Sequence, residues 1–252
     1  MSPPLVTVAV PSYNQGQFLD AALSSIFSSD VPVEVFIADG GSRDNSVEII
    51  KRWEPKLSGW RSHSDSGQAA AINECIAKGT APYVCWLNSD DYFLEGGLRA
   101  LLNALDAAPG VPAAYGRALN IRERDGKRSP VWVEAFSERR LAQRCIVSQP
   151  ATLMRRSAWE QVRGLQPDFH MAMDYDLWWR LYKACGELQF VDEWVAVNRE
   201  HCDTKTNTQR VAHYREAMAV VRQYHGRVPL KWWLYQPYSV WFKAIVNRFE
   251  KY

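Results

Sequence analysis

The amino-acid sequence predicts an α/β domain with a central, mostly parallel sheet flanked by helices and a helical extension at the C-terminal end. Three observations predict it. Short apolar runs of strand length alternate with segments of helical spacing through the first hundred residues. The strand-length runs end in polar clusters, as strands do in α/β sheets. No internal repeat and no Gly- or Ser-rich linker divides the chain.

The elements follow in order. Leu5–Val10 is a buried-strand run stopped by Pro11, and Phe18, Ala22 and Ile26 then mark a helix over Phe18–Phe27. Val33–Ala38 is a second strand ending at Asp39-Gly40-Gly41, followed by a helix over Asp44–Trp53 that Ser42 or Asp44 can cap. A short strand at Trp60–Ser62, an Ala-rich helix over Gln68–Ala77, a strand over Tyr83–Leu87 and a helix over Glu95–Leu105 complete this half. The second half is less regular. It reads as a strand at Val111–Tyr115, a hairpin over Arg117–Val133 around Asp125-Gly126, and helices at Leu141–Arg144, Trp159–Val162 and Tyr175–Lys183. Short strands at Leu188–Val191 and Trp194–Asn198 and a long helix over Gln209–Tyr224 follow.

Composition excludes several classes. Hydrophobic residues make up 47% and charged residues 23% of 252, so the chain is neither disordered nor of low complexity. Thirty Lys+Arg against 28 Asp+Glu leave a formal charge of +2, which offers nucleic acid no bulk attraction. Five cysteines without a CxxC pair signal neither a zinc ribbon nor a disulfide framework, and suit a reducing, cytoplasmic setting. No secretory leader and no membrane-spanning run is expected.

Four strand ends carry Pro11-Ser12-Tyr13-Asn14, Asp39-Gly40-Gly41-Ser42, Asp65-Ser66-Gly67-Gln68 and Asn88-Ser89-Asp90-Asp91. One such Asp is ordinarily a helix cap; four clusters at successive strand ends point to a shared site. No GxGxxG follows the first strand and no GxxxxGK[ST] occurs, so a Rossmann or P-loop phosphate cradle is not expected. A bound nucleotide would then need a cation for its phosphates. Asp90 and Asp91 can hold Mg²⁺ or Mn²⁺, which take oxygen ligands and bridge phosphate oxygens.

The ordered set Val8-Ala-Val-Pro-Ser-Tyr-Asn14, Ile37-Ala-Asp-Gly-Gly-Ser-Arg-Asp-Asn-Ser46, Asp65-Ser-Gly-Gln-Ala-Ala-Ala-Ile-Asn73 and Trp86-Leu-Asn-Ser-Asp-Asp91 resembles family 2 glycosyltransferases of the GT-A fold. Ser148-Gln-Pro-Ala-Thr152 and Asp174-Tyr-Asp-Leu-Trp-Trp-Arg180 extend the resemblance over residues 5–202. It implies transfer of a sugar from a nucleotide-diphosphate donor to an acceptor hydroxyl, with inversion. It also implies a catalytic domain over 1–205, with a nucleotide-binding half to 110 and an acceptor half after it, and an extension over 206–252. Under it, Asp39 contacts the base, Pro11, Tyr13 and Asn14 line the nucleotide pocket, and Asp65, Gln68 and Asn73 stand near base and ribose. Asn88, Ser89 and Asp90 form the DxD-type element, with Asn88 where many relatives have Asp. Asp90, Asp91 and His201 are the metal ligands implied, for Mn²⁺ or Mg²⁺.

Inverting transfer needs a general base opposite the leaving diphosphate. The matching residue is Asp174, with Met173 replacing an acidic neighbour and Asp176 as the rival carboxylate, whose plainer role is a first-turn Asp favoured by the helix dipole. Gln149 matches a segment beside the acceptor cleft; Arg155 and Arg156 after it are either part of that cleft or solvated charges. Arg199 or Lys205 can offset diphosphate charge. Two other readings stand beside the enzyme: a non-catalytic nucleotide-sugar-binding or scaffold protein, and a nucleotidyltransferase, for which the basic Gly-rich triphosphate loop is missing.

Eleven tryptophans are unusual, and three lie in the last 21 residues. Leu234, Tyr238, Trp241 and Ile245 repeat at helical spacing among Lys231, Lys243, Arg248 and Lys251. A basic helix rich in Trp suits the bilayer interface; it can equally pack on its own domain or on a second copy. The first reading places the chain on the cytoplasmic face of the inner membrane, with a saccharide or lipid-linked saccharide acceptor in O-antigen or capsule assembly.

Overall fold

The computed structural model of the chain describes residues 3–201, 204 and 208–236. β1 (Val6–Ser12) is buried along its whole length, as an apolar run must be when both faces of its sheet are covered. It pairs in parallel with β2 (Val33–Asp39) and β4 (Tyr83–Trp86), and β2 pairs in parallel with β3 (Gly59–Ser62). The register sets Ser12 beside Asp39 and Asp39 beside Ser62, so three strands end level along one edge. The helices between them are α1 (Gly16–Phe27), α2 (Ser46–Trp53), α3 (Gln68–Lys78) and, after β5 (Tyr92–Phe93), α4 (Gly97–Ala107). The predicted alternation of strand and helix holds throughout this half.

The second half departs from a parallel sheet. β8 (Thr152–Arg155) runs antiparallel to β4 and to β6 (Ala113–Arg122), β9 (Gln189–Glu200) runs parallel to β6, and β5 runs antiparallel to β9. The expected hairpin forms, with β7 (Arg128–Pro130) antiparallel to β6. The two short strands expected near the end are one strand, β9, whose register against β6 shifts beside Gly116. A Cβ on Gly116 would meet Val195 Cγ2 at 2.5 Å and Glu193 O at 2.9 Å, so only glycine admits the irregular crossing. The remaining helices are α5 (Glu138–Gln143), α6 (Arg156–Gln161), α7 (Met173–Cys185), α8 (Arg210–His225) and α9 (Leu230–Gln236).

Alternate residues of the central strands face two apolar layers. Val6, Val8 and Val10 join α1, α2 and α4 on one face. Ala9, Phe36 and Trp86 join α3, α5, α6, α7 and α8 on the other. Trp178 and Trp179 are wholly buried there, Trp178 stacked on Trp86 at 6.0 Å and Trp179 on Tyr224 of α8 at 6.1 Å. The segment after residue 205 thus contributes Ala217, Val220 and Val221 to the same core. Trp178→Ala should cost about 3–5 kcal/mol of stability, the loss of its transfer energy plus a cavity; urea unfolding measures it, and a loss under about 1 kcal/mol would show that the layer repacks.

Arg155 and Arg156 take neither role open to them in the sequence. Arg155 donates to the carbonyls of Leu105 at 2.6 Å, Ala108 at 3.2 Å and Val111 at 2.8 Å. Arg156 donates to Ala81 O at 2.6 Å, Ile76 O at 3.1 Å and Thr7 Oγ1 at 2.7 Å. The two guanidinium groups therefore satisfy the last carbonyls of α3 and α4.

Candidate active site

The level strand ends build a rigid floor. Asp39 is fully buried and its carboxylate accepts from Gly41 N–H at 3.1 Å, Ser42 N–H at 2.9 Å, Ser62 Oγ at 2.6 Å and Ser42 Oγ at 2.5 Å. Gly41 adopts φ +83° to present its N–H, a conformation that side chains rarely accept. Asn14, at φ 52°, links this turn to the first strand: its N–H donates to Ser42 Oγ at 2.7 Å and its Oδ1 accepts from Arg43 N–H at 2.8 Å. Pro11 is buried, whereas Tyr13 is 62% exposed beside Gly40. Asp44 sits beneath, accepting from Ser46 N–H and Gly16 N–H, the first amides of two helices.

Arg61 ties the next cluster to this floor. It donates to Asp39 O at 2.8 Å and pairs with Asp65 at 3.0 Å and Glu74 at 2.9 Å. Asp65 also accepts from Gly67 N–H at 2.9 Å and so opens α3. Gln68 on the first turn of α3 reaches Asn88 Oδ1 at 2.8 Å. Asn73, expected near the ribose, is committed elsewhere: its amide donates to Leu165 O at 2.8 Å and accepts from Leu165 N–H at 2.9 Å. It pegs the loop ahead of α7.

The loop after β4 is the hub. Asn88 donates to Gln149 Oε1 and to Asp91 Oδ2, both at 3.1 Å, and Gln149 donates to Trp86 O at 2.8 Å. Ser89 is buried and donates to Gln15 Oε1, while Gln15 Nε2 donates to Asp90 Oδ2 at 3.0 Å. His201 Nε2 lies 3.1 Å from the same Asp90 oxygen, its ring 4.8 Å from that of Phe18. The two carboxylates paired by sequence separate in role. Asp91 is buried, with Oδ1 taken by Arg199 N–H at 3.0 Å and Oδ2 by Asn88. Burial first, and the Asp90 charge second, push its carboxyl well above the usual range. Arg199, expected to face the diphosphate, donates its Nε to Asp90 O at 3.1 Å and lies over the Phe18 and Tyr92 rings. Lys205 lies outside the described residues.

Asp90 and His201 together offer a carboxylate oxygen and an imidazole nitrogen, a donor set that fits Mn²⁺ and, through the carboxylate, Mg²⁺. Among the described residues no group of three His, Cys, Asp or Glu converges. A divalent ion held here would need oxygen ligands beyond these two side chains.

A pocket lined by Ser66, Gly67, Gln68, Phe169, His170 and Met173 lies between the first turn of α3 and the start of α7, where Asp174 follows Met173. Asp174 is half-buried and accepts from Tyr175 N–H at 2.8 Å. Burial pushes its carboxyl up, opposed by Tyr175 N–H and by the nearby His213, and a raised carboxylate is a better proton acceptor. Asp176, the rival, is 1% exposed and fully engaged by Arg180 Nε at 2.7 Å and Tyr224 OH at 2.7 Å. It is a structural link between α7 and α8.

Three contributors carried no sequence signal of their own role. Gln15, one residue beyond Asn14, bridges Ser89 and Asp90. His213 and Glu216 on α8 stand at the start of α7. Their spacing of three marks a shared helix face, but nothing local says what that face meets.

The family model described as Glycosyl transferase family 2 matches residues 7–163. The chain is 24% identical over 244 residues to the hyaluronan synthase of Pasteurella multocida, covering 94% of this chain and 24% of that protein; it spans about a quarter of that relative's length. Among solved structures, residues 1–349 of TarS from S. aureus in complex with UDP-GlcNAc match with a TM-score of 0.68 at 16% identity, over 86% of this chain and 65% of that one. The mannosyltransferase PcManGT from Pyrobaculum calidifontis, in complex with GDP-Man and Mn²⁺, matches with a TM-score of 0.65 at 20% identity, over 94% and 68%. The fold is the GT-A fold of these glycosyltransferases.

Proposed function

Because the chain belongs to glycosyl transferase family 2, we propose that it transfers a sugar from a nucleotide-diphosphate donor, a UDP- or dTDP-sugar, to an acceptor hydroxyl with inversion and with the help of Mn²⁺ or Mg²⁺. The observation that carries this reading is the loop after β4, where the Asp90–His201 pair and the Gln68–Asn88–Gln149 chain meet, with Gln68 also lining a pocket that reaches Met173, next to Asp174. Inversion requires attack from the face opposite the leaving group, so an anion-handling end and a basic end belong on opposite sides of one cleft.

Within that reading the residues divide the work. The turn built on Asp39, Asn14 and Ser42 receives the base and ribose, with Tyr13 free to lie against a ring. Asp90 and His201 would hold the cation, which when bound would supply positive charge against a departing diphosphate. Gln15, Asn88 and the Arg199 backbone hold the two carboxylates of this loop in place. Asp174 takes the proton of the acceptor hydroxyl. A thermal-shift panel of UDP, dTDP, GDP and their sugars with Mn²⁺ or Mg²⁺ tests the donor end. One base class should raise the melting temperature in a metal-dependent way; no rise with any of them would remove the donor reading.

For the acceptor, we infer a saccharide or lipid-linked saccharide at the cytoplasmic face of a membrane. Support comes from α9, on which Leu230, Trp233, Leu234 and Tyr235 are 48–70% exposed beside Lys231. Trp232 instead packs on Tyr175 and Tyr214 and donates to Ala142 O at 2.8 Å. The helix is thereby fixed to the domain with its other side outward. Residues 237–252, including Tyr238, Trp241 and Ile245, lie outside the described residues. Among the described residues no helix is long and apolar enough to cross a membrane. The double substitution Trp233→Glu with Leu234→Glu should lower co-sedimentation with anionic vesicles several-fold, since each exposed apolar side chain that enters the interface contributes about 1–3 kcal/mol; unchanged binding would favour a protein partner or a second copy.

A further inference from the structure

α8 presents one stripe to the start of α7. His213, Glu216, Val220 and Tyr224 recur at spacings of three and four, and so share a face. Glu216 Oε2 accepts from the N–H groups of Met171 at 2.7 Å and Ala172 at 3.1 Å, donors that the helix itself leaves unsatisfied. Tyr224 OH donates to Asp176 at 2.7 Å. His213, half-buried, stands one turn before Glu216 on this face, and Glu216 binds the backbone two and three residues ahead of Asp174. α7 has no group of its own for this purpose, because Met173 is apolar and Asp176 is bound to Arg180 and Tyr224.

We propose that α8 completes the general base, with Glu216 and His213 as positioning residues: Glu216 holds the N-terminal end of α7, and His213 balances the charge of the Asp174 carboxylate. This rests on the reading of Asp174 as the base.

The groups that bear on the pair come from three elements. Asp174 is faced by His213 of α8, by Asp176 of α7 and by the Cys145 thiol after α5; His213 is faced by Asp174, Glu216 and Arg210. Burial favours the neutral form of both groups, while each charge favours the opposite charge on the other. On this proposal a proton entering as the pH falls has two places to rest. While the proton rests on His213, Asp174 stays ionised and can accept from the hydroxyl. With glutamine at 213 the proton can go only to Asp174, and activity is lost at a higher pH.

Two measurements test this. The first follows the His213 imidazole by NMR titration in the wild type and in Asp174→Asn, and needs no substrate. Loss of the carboxylate should lower the His213 midpoint by about half a unit or more; equal midpoints overturn the proposal. The second follows turnover against pH for whichever of UDP-glucose, UDP-GlcNAc, dTDP-rhamnose and GDP-mannose the wild type hydrolyses fastest with Mn²⁺. His213→Gln should move the acid limb up by about one unit. Glu216→Ala should lower kcat roughly tenfold with donor KM unchanged, and Glu216→Gln should restore it, since an amide oxygen still accepts both N–H groups. An unmoved limb in His213→Gln, or equal losses in the two Glu216 variants, sinks the claim. Should Glu216→Ala not fold, the NMR titration and His213→Gln decide. If Asp174→Asn retains turnover, the base assignment itself fails. If Asp174→Asn is inactive while His213→Gln keeps the wild-type profile, only the role of α8 fails.

Discussion

Asp174→Asn should lower kcat by roughly 10²–10⁴, the usual contribution of a positioned general base, and leave donor affinity unchanged. Asparagine fills the same volume and can still accept from Tyr175 N–H, so the first turn of α7 keeps its geometry. What it cannot do is take a proton. Among the described residues, the turn built on Asp39 and Ser42 shares no hydrogen bond with Asp174. Stability should be equal or higher above the folded pKa of Asp174, because a carboxyl pushed up by burial costs the folded state free energy once it is ionised. Single-turnover kinetics beside a nucleotide titration separate the two effects. Near-normal turnover, or a parallel loss of nucleotide binding, would each remove Asp174 from the proton-transfer step.

Asp90→Ala should abolish the dependence of donor binding on Mn²⁺ and lower turnover by roughly 10²–10³, the scale on which one stabiliser of developing charge is felt. The substitution removes one of the two donor atoms that face each other across 3.1 Å and keeps the His201 imidazole. It also removes the acceptor of Gln15 Nε2, while Gln15 Oε1 still accepts from Ser89 in the loop after β4. Asp91→Asn offers the contrast. Its oxygens serve Arg199 N–H and Asn88, so that change should weaken the loop with a smaller effect on the metal response. Isothermal titration of Mn²⁺ in the presence of UDP reads both variants, and equal metal affinity in wild type and Asp90→Ala would defeat the assignment.

The donor half was legible because its information is local. Each buried strand, its polar end and the helix that follows lie within about 25 residues, so periodicity and turn chemistry place Asp39, Asp65 and Asp90 on one edge without knowledge of the sheet order. The register of Ser12, Asp39 and Ser62 then makes those ends level. Legibility stopped where a side chain's partner is remote. Asn73 reads as a polar face of α3 near the nucleotide, yet its partner is Leu165, 92 residues away. Arg155 and Arg156 read as cleft residues or as solvated charges, yet they hold carbonyls of α3 and α4. Asp90 and Asp91 are adjacent and chemically identical, and only the approach of the Arg199 backbone separates them. Strand direction in the second half was equally hidden, since β8 and β6 carry the same apolar signal in either direction, and β5 is two residues long.

The core layer beneath α7 also sets an order of events during synthesis. Strands β1 to β4 and helices α1 to α3 complete their mutual contacts once residue 86 has emerged, so the floor of level strand ends can form early. Trp179 is covered by Tyr224 and the N–H groups ahead of α7 are satisfied by Glu216, so the start of α7 stays open until the ribosome has released residue 224. A nascent chain paused before that point would carry the paired strands β1 to β4, an uncovered tryptophan face and unsatisfied N–H groups ahead of α7. The hazard to a chaperone's client then has one origin, the late arrival of a single helix.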